Sequence, residues 1–517
     1  MTTIILRGGS VVDGSGSEPY RADVEIAGGV ITGIGDYADV ESADTIQCNG
    51  RLIFPGFIDT HSHLDAGVFR TDAQLALLRQ GVTSVIAGQD GVSYAPGDGG
   101  YATRYFASIN GSHPTFSGGS VADLLKTYQG TIPINVGYLV PQGIVRHNVM
   151  GLRKDPPTPR ELAQMVEQVE HGIEDGALGL STGLDYVPGY FADTDELIAL
   201  CAPVARRGGV YVSHLRGYRE PGVAEAAEIS RRAGVPGHIS HYHGPTADMV
   251  GWLEAGHRAG ADLTFDAYPY ARGCTNLTLL TLPPWLLEMD PDECIERLGE
   301  SDTHAYLDSE WLPERGVITG LGPQWATRVE FTYVAAPEYA WAEGLSMAAA
   351  AERVGRTVGE LTGLMLQASR LEVGATVPFS NSTEEEAQEL ANHPSFMCGS
   401  DGIYFGSAPH PRGWGSFARV LSRYCRKDET MTWGTAAWKL SGHAAHRFGL
   451  TDRGQVAVGA VADLAIVDPA AVQDNAKYGS GRLTATGVSD VLVAGSPVLR
   501  RGELTGMLTG RPLIRSR

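Results

Sequence analysis

Phe57-Ile58-Asp59-Thr60-His61-Ser62-His63 is a short apolar run that ends on two histidines separated by a single serine. A helix-like amphipathic segment follows it, and then a second apolar run, Thr83 to Gln89. The same alternation returns in Ile134 to Val140, Ala177 to Thr182, Gly209 to Leu215, Gly237 to His243, Asp262 to Tyr268 and Phe396 to Asp401. Apolar strands separated by amphipathic helices indicate a parallel sheet. Eight such units predict an α/β fold, a closed (β/α)8 TIM-like barrel spanning 55–451.

Working outward, the roughly 125 residues between the seventh and eighth strands are too many for a connecting loop. They hold Pro283-Pro284-Trp285 and the helix-like Ser346 to Val354, so 271–394 is read as an inserted lid or subdomain expected to cover the barrel mouth and help choose the substrate. Both chain ends have another texture. Ile4 to Leu6, Val11-Val12, Ala22 to Ile26 and Val30 to Ile34 are β-rich runs between glycine turns, and Val461 to Asp468 and Val491 to Gly495 resemble them. One small antiparallel β-sandwich built from 1–54 plus 452–517 is expected.

The chain has 517 residues, 43% of them hydrophobic, enough for a large core. Its formal net charge of -20 repels phosphate backbones and anionic lipid, which argues against nucleic acid and membrane surfaces as partners. The six cysteines show no CxxC spacing and read as reduced thiols. With no basic n-region and no apolar stretch of about 18 residues, the expected location is the cytoplasm. A homo-oligomer is left open.

Most side chains able to do chemistry fall at the C-terminal ends of the strands, where barrel enzymes build their active sites. Residues two apart on a strand share a face, so His61 and His63 can aim at one point. Alone, that pair fits a metal site or two satisfied histidines equally well. His214 ends the fifth strand, His241 the sixth and Asp401 the eighth. Buried without partners, these groups would each cost several kcal/mol on the order of ordinary desolvation penalties, so a metal centre is the expectation. Nitrogen and oxygen ligands suit Zn first, one or two ions, with Mn, Fe or Co possible. Asp401, facing the histidines, is placed to shuttle a proton.

The His-x-His after Pro55-Gly56-Phe57-Ile58-Asp59, the later single histidines, Ser400-Asp401-Gly402 and Ala462-Asp463-Leu464 together resemble the amidohydrolase superfamily. Ser181 to Tyr186, Ser213-His214-Leu215-Arg216, Ile239-Ser240-His241, Tyr268-Pro269-Tyr270 and His410-Pro411-Arg412 are similar to motifs of its N-acyl-D-amino-acid deacylases (D-aminoacylases). The resemblance runs the length of the chain. It implies a barrel with a β-sandwich from both termini, and a metal-bound hydroxide that attacks the amide carbonyl of a small-molecule substrate. It also implies that Tyr268 donates to the oxyanion and that Tyr186 and Arg412 hold the substrate carboxylate.

Three positions depart from that pattern. Gln89-Asp90-Gly91 stands where the family has Asn-Cys-Gly, so Asp90 is expected to replace the cysteine as a metal ligand, able to bridge two cations and to tilt the site towards harder metals. Its competing reading is a turn residue capping Gly91. His243 stands in place of a lysine and Cys274 in place of a serine, which weakens the grip on an α-carboxylate. The resemblance leaves room for cyclic-amide hydrolases of the hydantoinase and dihydroorotase type. Those supply a bridging lysine from strand four, and Gly176 to Gly183 offers none. A non-catalytic scaffold would usually have lost metal ligands, and all are present.

Overall fold

The structure, a computed structural model, describes residues 3–37 and 44–515. Its centre is a sheet of eight parallel strands: β1 (Phe57–Asp59), β2 (Val82–Ala87), β3 (Asn135–Pro141), β4 (Gly179–Gly183), β5 (Val210–His214), β6 (Gly237–Ile239), β7 (Leu263–Ala267) and β8 (Phe396–Cys398). Each pairs with the next in chain order. The ring closes where Thr60 donates its N–H to the Cys398 carbonyl, 3.4 Å, and Asp401 donates to the His61 carbonyl, 2.7 Å. All residues of β2 and β3 are buried, which is why strands covered on both faces read as unbroken apolar runs.

The strands are shorter than the apolar runs suggest. β1 stops at Asp59, β2 at Ala87, β6 at Ile239 and β8 at Cys398, so His61, His63, Asp90, His241 and Asp401 stand just beyond strand ends, whereas His214 is the last residue of β5. Asp90 (φ 56°), His241 (φ 34°) and Asp401 (φ 49°) have left-handed backbones, which break the pleat. Such conformations are costly for residues other than glycine and cluster at functional sites.

Helices on the outside carry legible start signals. Helix Pro159–Glu174 begins with a reciprocal cap between Thr158 and Glu161 and has proline in its first turn. It buries Met165, Val169 and Gly172, spaced four and three residues apart, on the face that meets the barrel.

The chain ends form two sheets. One orders Val30–Gly35, Asp23–Ala27, Ile4–Arg7 and Asp44–Gln47; in the other, Leu52–Pro55 lies antiparallel to Leu464–Val467, so N- and C-terminal strands share a sheet. Ile4, Leu6, Val24, Ile53, Leu464 and Leu492 pack in one core between them. The expectation of a purely antiparallel domain is corrected: Ile4–Arg7 pairs in parallel with Asp44–Gln47, and Ser10–Val11 with Leu52–Pro55. Of the terminal stretches read from sequence, residues 1–2, 38–43 and 516–517 lie outside the described residues. Asp463, held within this domain by an ion pair with Arg453 and the Ala494 N–H at 2.7 Å, ties it to the barrel by accepting from Asn135 Nδ2 at 3.0 Å.

After β7 the chain enters an antiparallel sheet of Arg272–Asn276, Val373–Pro378 and Glu330–Val334, backed by helices including Met347–Val354 and Val358–Ala368. Leu277, Leu298, Phe331, Met365 and Val373 give it a core of its own. Gly273, Cys274, Val377 and Phe379 from this segment line the same cavity as the barrel-mouth histidines.

His443 buttresses β8, its Nδ1–H donating to the Phe396 carbonyl at 3.1 Å and its ring stacked on Trp438. Burial holds its pKa down to about 4. The folded state therefore refuses a proton that the unfolded chain takes up near pH 6.5, and stability is lost as pH falls through the window from about 6.5 to 4. Thermal melts of His443→Gln beside the parent should show the parent's Tm declining more steeply over that window; parallel curves would contradict this.

Candidate metal centre

His61 and His63 leave β1, Asp90 follows β2, His214 ends β5, and His241 and Asp401 follow β6 and β8. Asp90 lies at the middle. Its Oδ1 is 3.5 Å from His61 Nε2 and 3.7 Å from His241 Nε2. Its Oδ2 is 3.6 Å from His63 Nε2 and 3.7 Å from His214 Nδ1. Two groups of ligand atoms, His61 with His63 and Asp90, and Asp90 with His214 and His241, each lie within 4.8 Å of one another. Asp401 completes the ring, its Oδ1 3.2 Å from His63 Nε2 and its Oδ2 2.7 Å from Arg412 Nη1.

These groups are buried, yet both ring nitrogens of His61 and Oδ1 of Asp90 lack a hydrogen-bond partner. Polar atoms left so in a dry interior are costly unless something else satisfies them. Convergent imidazole and carboxylate donors with orphaned atoms fit one or two divalent ions.

The electrostatics follow from the crowding. Burial opposes charge on Asp90, but His61, His214, His241 and His63 outweigh it and hold the carboxyl well below its usual range. Burial likewise opposes charge on His63 and His214, yet Asp401 and Asp90 raise the first to about 10, and Asp185 and Asp90 raise the second to about 10. Burial also works against ionised Asp401, which Arg412 beside it keeps ionised. His243 is the opposite case: burial, then the neighbouring His241, push it down to about 3.

The expected substrate-contacting residues meet above this cluster. Tyr186, His243, Tyr268, Cys274, Asp401 and Arg412 line one cavity with His63, Asp90, His214 and His241, while His61 lies behind it, fully buried. The Tyr186 hydroxyl is 3.3 Å from Thr275 Oγ1. Arg412 lies 4.7 Å from the Tyr268 ring centroid and donates from Nη2 to the Cys274 carbonyl at 2.9 Å. The Cys274 thiol lies 3.9 Å from Thr332 Oγ1.

The amidohydrolase family model matches residues 44–254 and 339–499. The chain belongs to the amidohydrolase family. D-aminoacylase of Alcaligenes xylosoxydans xylosoxydans is 31% identical over 99% of this chain and 98% of its own length. The N-acyl-D-glutamate deacylase of Bordetella bronchiseptica, solved with zinc and a phosphonate inhibitor that mimics the tetrahedral intermediate, superposes with a TM-score of 0.83 at 28% identity over 99% of both chains. A D-hydantoinase structure shares the fold more distantly, with a TM-score of 0.59 at 17% identity over 99% of both chains.

Several residues of this amidohydrolase site escaped the sequence reading. Asp266 in β7 accepts from the His241 backbone N–H at 2.7 Å and is 2.9 Å from His238 Nε2, so it fixes the turn that carries His241, and it stands behind the His61 ring, 3.5 Å from Nδ1. A carboxylate behind a metal-binding imidazole fixes its tautomer and raises its basicity. Asn110 Oδ1, 3.1 Å from His63 Nδ1, and Asp185 Oδ2, 3.3 Å from His214 Nε2, do the same for their histidines. A lone acid inside the apolar run Leu263 to Ala267 was a readable signal for Asp266. Asn110, the last residue of the short helix Ala107–Asn110, and Asp185, in the turn after β4, carry none.

Proposed function

We propose that this chain is a divalent-metal-dependent hydrolase that removes the acyl group from N-acyl-D-amino acids or close N-acyl relatives. The observation that carries the reading is the pair of ligand groups sharing Asp90 at the barrel mouth, beside Asp401 and Arg412. His61, His63 and Asp90 would hold one ion, and Asp90, His214 and His241 the other. Zn is the expected metal, with Mn, Fe or Co able to serve. When bound, such an ion polarises a carbonyl and makes water acidic enough to attack at neutral pH.

The chain's own groups supply the rest. Asp401, kept ionised by Arg412, accepts a proton from water at Oδ1 and returns it to the leaving nitrogen. Tyr268, whose hydroxyl burial keeps protonated, donates to the carbonyl oxygen as charge develops there. Arg412 Nε is buried without a hydrogen-bond partner and serves as a donor for the substrate carboxylate, with the Tyr186 hydroxyl across the cavity. Cys274 and His243 complete the wall. Barrel residues 55–451 carry the chemistry, the terminal strands of 1–54 and 452–517 brace it, and 271–394 covers the mouth.

Among the described residues no helix is long and apolar enough to cross a membrane, and all six cysteines are free. Free thiols fit the reducing cytoplasm, and the net charge of -20 fits an enzyme of small molecules rather than one acting on nucleic acid or anionic lipid; self-association into a homo-oligomer is compatible with this reading.

Assay of the metal-loaded protein on N-acetyl and N-formyl D- and L-amino acids, hydantoins and small lactams tests the proposal. Release of free D-amino acid with kcat/KM about 100-fold or more above the L-series is expected. Faster opening of hydantoins than of any N-acyl-D-amino acid would overturn it.

A further inference from the structure

Leu464–Val467 and Val488–Val493 run antiparallel as neighbours in the terminal sheet, a pairing that a loop of about 2–5 residues can close. The chain instead inserts 468–487 between them. That segment is an ordered arm. Gln473 and Thr486 exchange both backbone hydrogen bonds, at 3.1 and 3.0 Å, and Asn475 Nδ2 donates to the Thr484 carbonyl at 3.0 Å. At the tip Ser480 donates to the Lys477 carbonyl at 2.9 Å across Tyr478 and Gly479, and Gly479 takes the left-handed backbone, φ 77°, that a side chain would resist there.

The arm leaves its own sheet and closes on the segment Gly402 to Arg419, which follows β8 and carries Arg412 into the barrel mouth. It grips that segment at both ends. Arg482, whose Nη1 also pairs with Asp72 at 3.0 Å, donates from Nε to the Gly406 carbonyl at 2.8 Å. Gly481 lies so close to Pro409 that a Cβ would stand 2.0 Å from its carbonyl oxygen. Asp474 Oδ2 accepts from Arg419 Nη1 at 3.1 Å, at the far end of helix Arg412–Arg419.

His410 links the arm to the site. It is buried, and its Nδ1 accepts the backbone N–H of Arg412 at 3.0 Å, which leaves the ring proton on Nε2 to be donated to the Arg272 carbonyl at 3.0 Å. With both nitrogens engaged, the position of this ring sets where the Arg412 backbone starts its helix. Two tyrosines fix the ring edge to face: Tyr270 at 5.5 Å and 87° from the barrel, and Tyr478 at 5.2 Å and 84° from the arm. The Arg272 guanidinium lies 5.1 Å from the Tyr478 ring centroid, so the same ring also steadies the residue whose carbonyl His410 holds.

We propose that Tyr478 is a positioning residue of the active site: from the tip of the terminal-sheet arm it holds the His410 ring, and through it Arg412, where the guanidinium faces Asp401 and the substrate. The terminal sheet then takes part in substrate binding as well as bracing the barrel. The inference rests on the role given to Arg412 above.

The test compares metal-loaded Tyr478→Ala, Tyr478→Phe and Arg482→Gln with the parent by steady-state kinetics on N-acetyl-D-leucine, by elemental analysis, and by hydrogen–deuterium exchange of peptides covering 402–412 and 57–64. A shift of about 1 Å in a positioning group can cost about 100-fold, so a partial loosening in Tyr478→Ala should raise KM about tenfold with kcat within about threefold and metal content unchanged. Exchange should quicken at 402–412 and stay parental at 57–64. Tyr478→Phe keeps the ring and should restore both values; Arg482→Gln loosens the same loop at Gly406 and should move both in the Tyr478→Ala direction, by about threefold in KM. Unchanged exchange overturns the proposal, as does Tyr478→Phe as impaired as Tyr478→Ala. Faster exchange with parental KM reduces the arm to a prop and overturns it too. Should Tyr478→Ala fail to fold, Arg482→Gln decides by the same criteria. A parent that cleaves no N-acyl-D-amino acid sinks the deacylase reading alone: KM is then compared on the hydantoin or lactam it opens, and the exchange result, which needs no substrate, still stands for or against the arm.

Discussion

Asp401→Asn should lower kcat by about 100-fold or more while the protein keeps at least one metal ion, the size expected when a positioned acid-base group is lost. The carboxylate faces His61 and His63 with one oxygen and Arg412 with the other, so it is both aimed at the reacting region and held ionised. Its backbone is left-handed, φ 49°, a conformation asparagine tolerates, so the substitution removes charge and proton affinity without straining the turn. The histidines and Asp90 remain to bind metal. The experiment pairs steady-state kinetics on the best amide with elemental analysis of the same preparation. Near-parental kcat would contradict the role; complete loss of metal would reassign Asp401 from proton carrier to obligatory ligand.

The second large effect is expected at Asp90. Asp90→Ala should lose most of both ions and with them about 1,000-fold or more of the activity, since it removes the one group common to both ligand sets and with it the water activation the ions supply. Alanine at φ 56° also costs about 1–2 kcal/mol of backbone strain, so Asp90→Asn, which bears that backbone, is the necessary companion. If Asp90 is a ligand, both variants bind metal poorly; if it only shapes the Gly91 turn, the asparagine variant keeps full occupancy and turnover. Asp90→Cys adds a direction: a soft thiolate should raise retention of Zn relative to Mn during dialysis, compared with the parent.

The barrel was legible because its strands are buried on both faces, so each reads as an apolar run, and because polar residues collect where those runs stop. His61 and His63 were visible through their spacing alone. Strand ends were not legible: the left-handed residues Asp90, His241 and Asp401 are not themselves glycine, the residue that ordinarily announces such a backbone. Asp266 was missed because its meaning depends on neighbours, His238, His241 and His61, that only the closed barrel brings to it. Phe379 lies some 100 residues past the strand whose mouth it walls, and a single aromatic at that distance carries no signal. The parallel pairs in the terminal sheets were equally hidden, since alternation reveals a strand but not the direction of its partner.

The barrel seam has a consequence for how the protein is made. Asp59 and Ser400, 341 residues apart in the chain, are joined by two hydrogen bonds where β1 meets β8. At ordinary translation rates roughly 17–70 s separate their appearance on the ribosome. During that interval His61 and His63 have neither Asp401 nor the closing strand beside them. The nascent chain therefore carries an open sheet edge and a full set of candidate ligands, but neither Asp401 nor the closing strand, from His241 until Asp401 is made, which makes the growing chain, rather than the finished enzyme, the form most exposed to chaperones and to mismetallation.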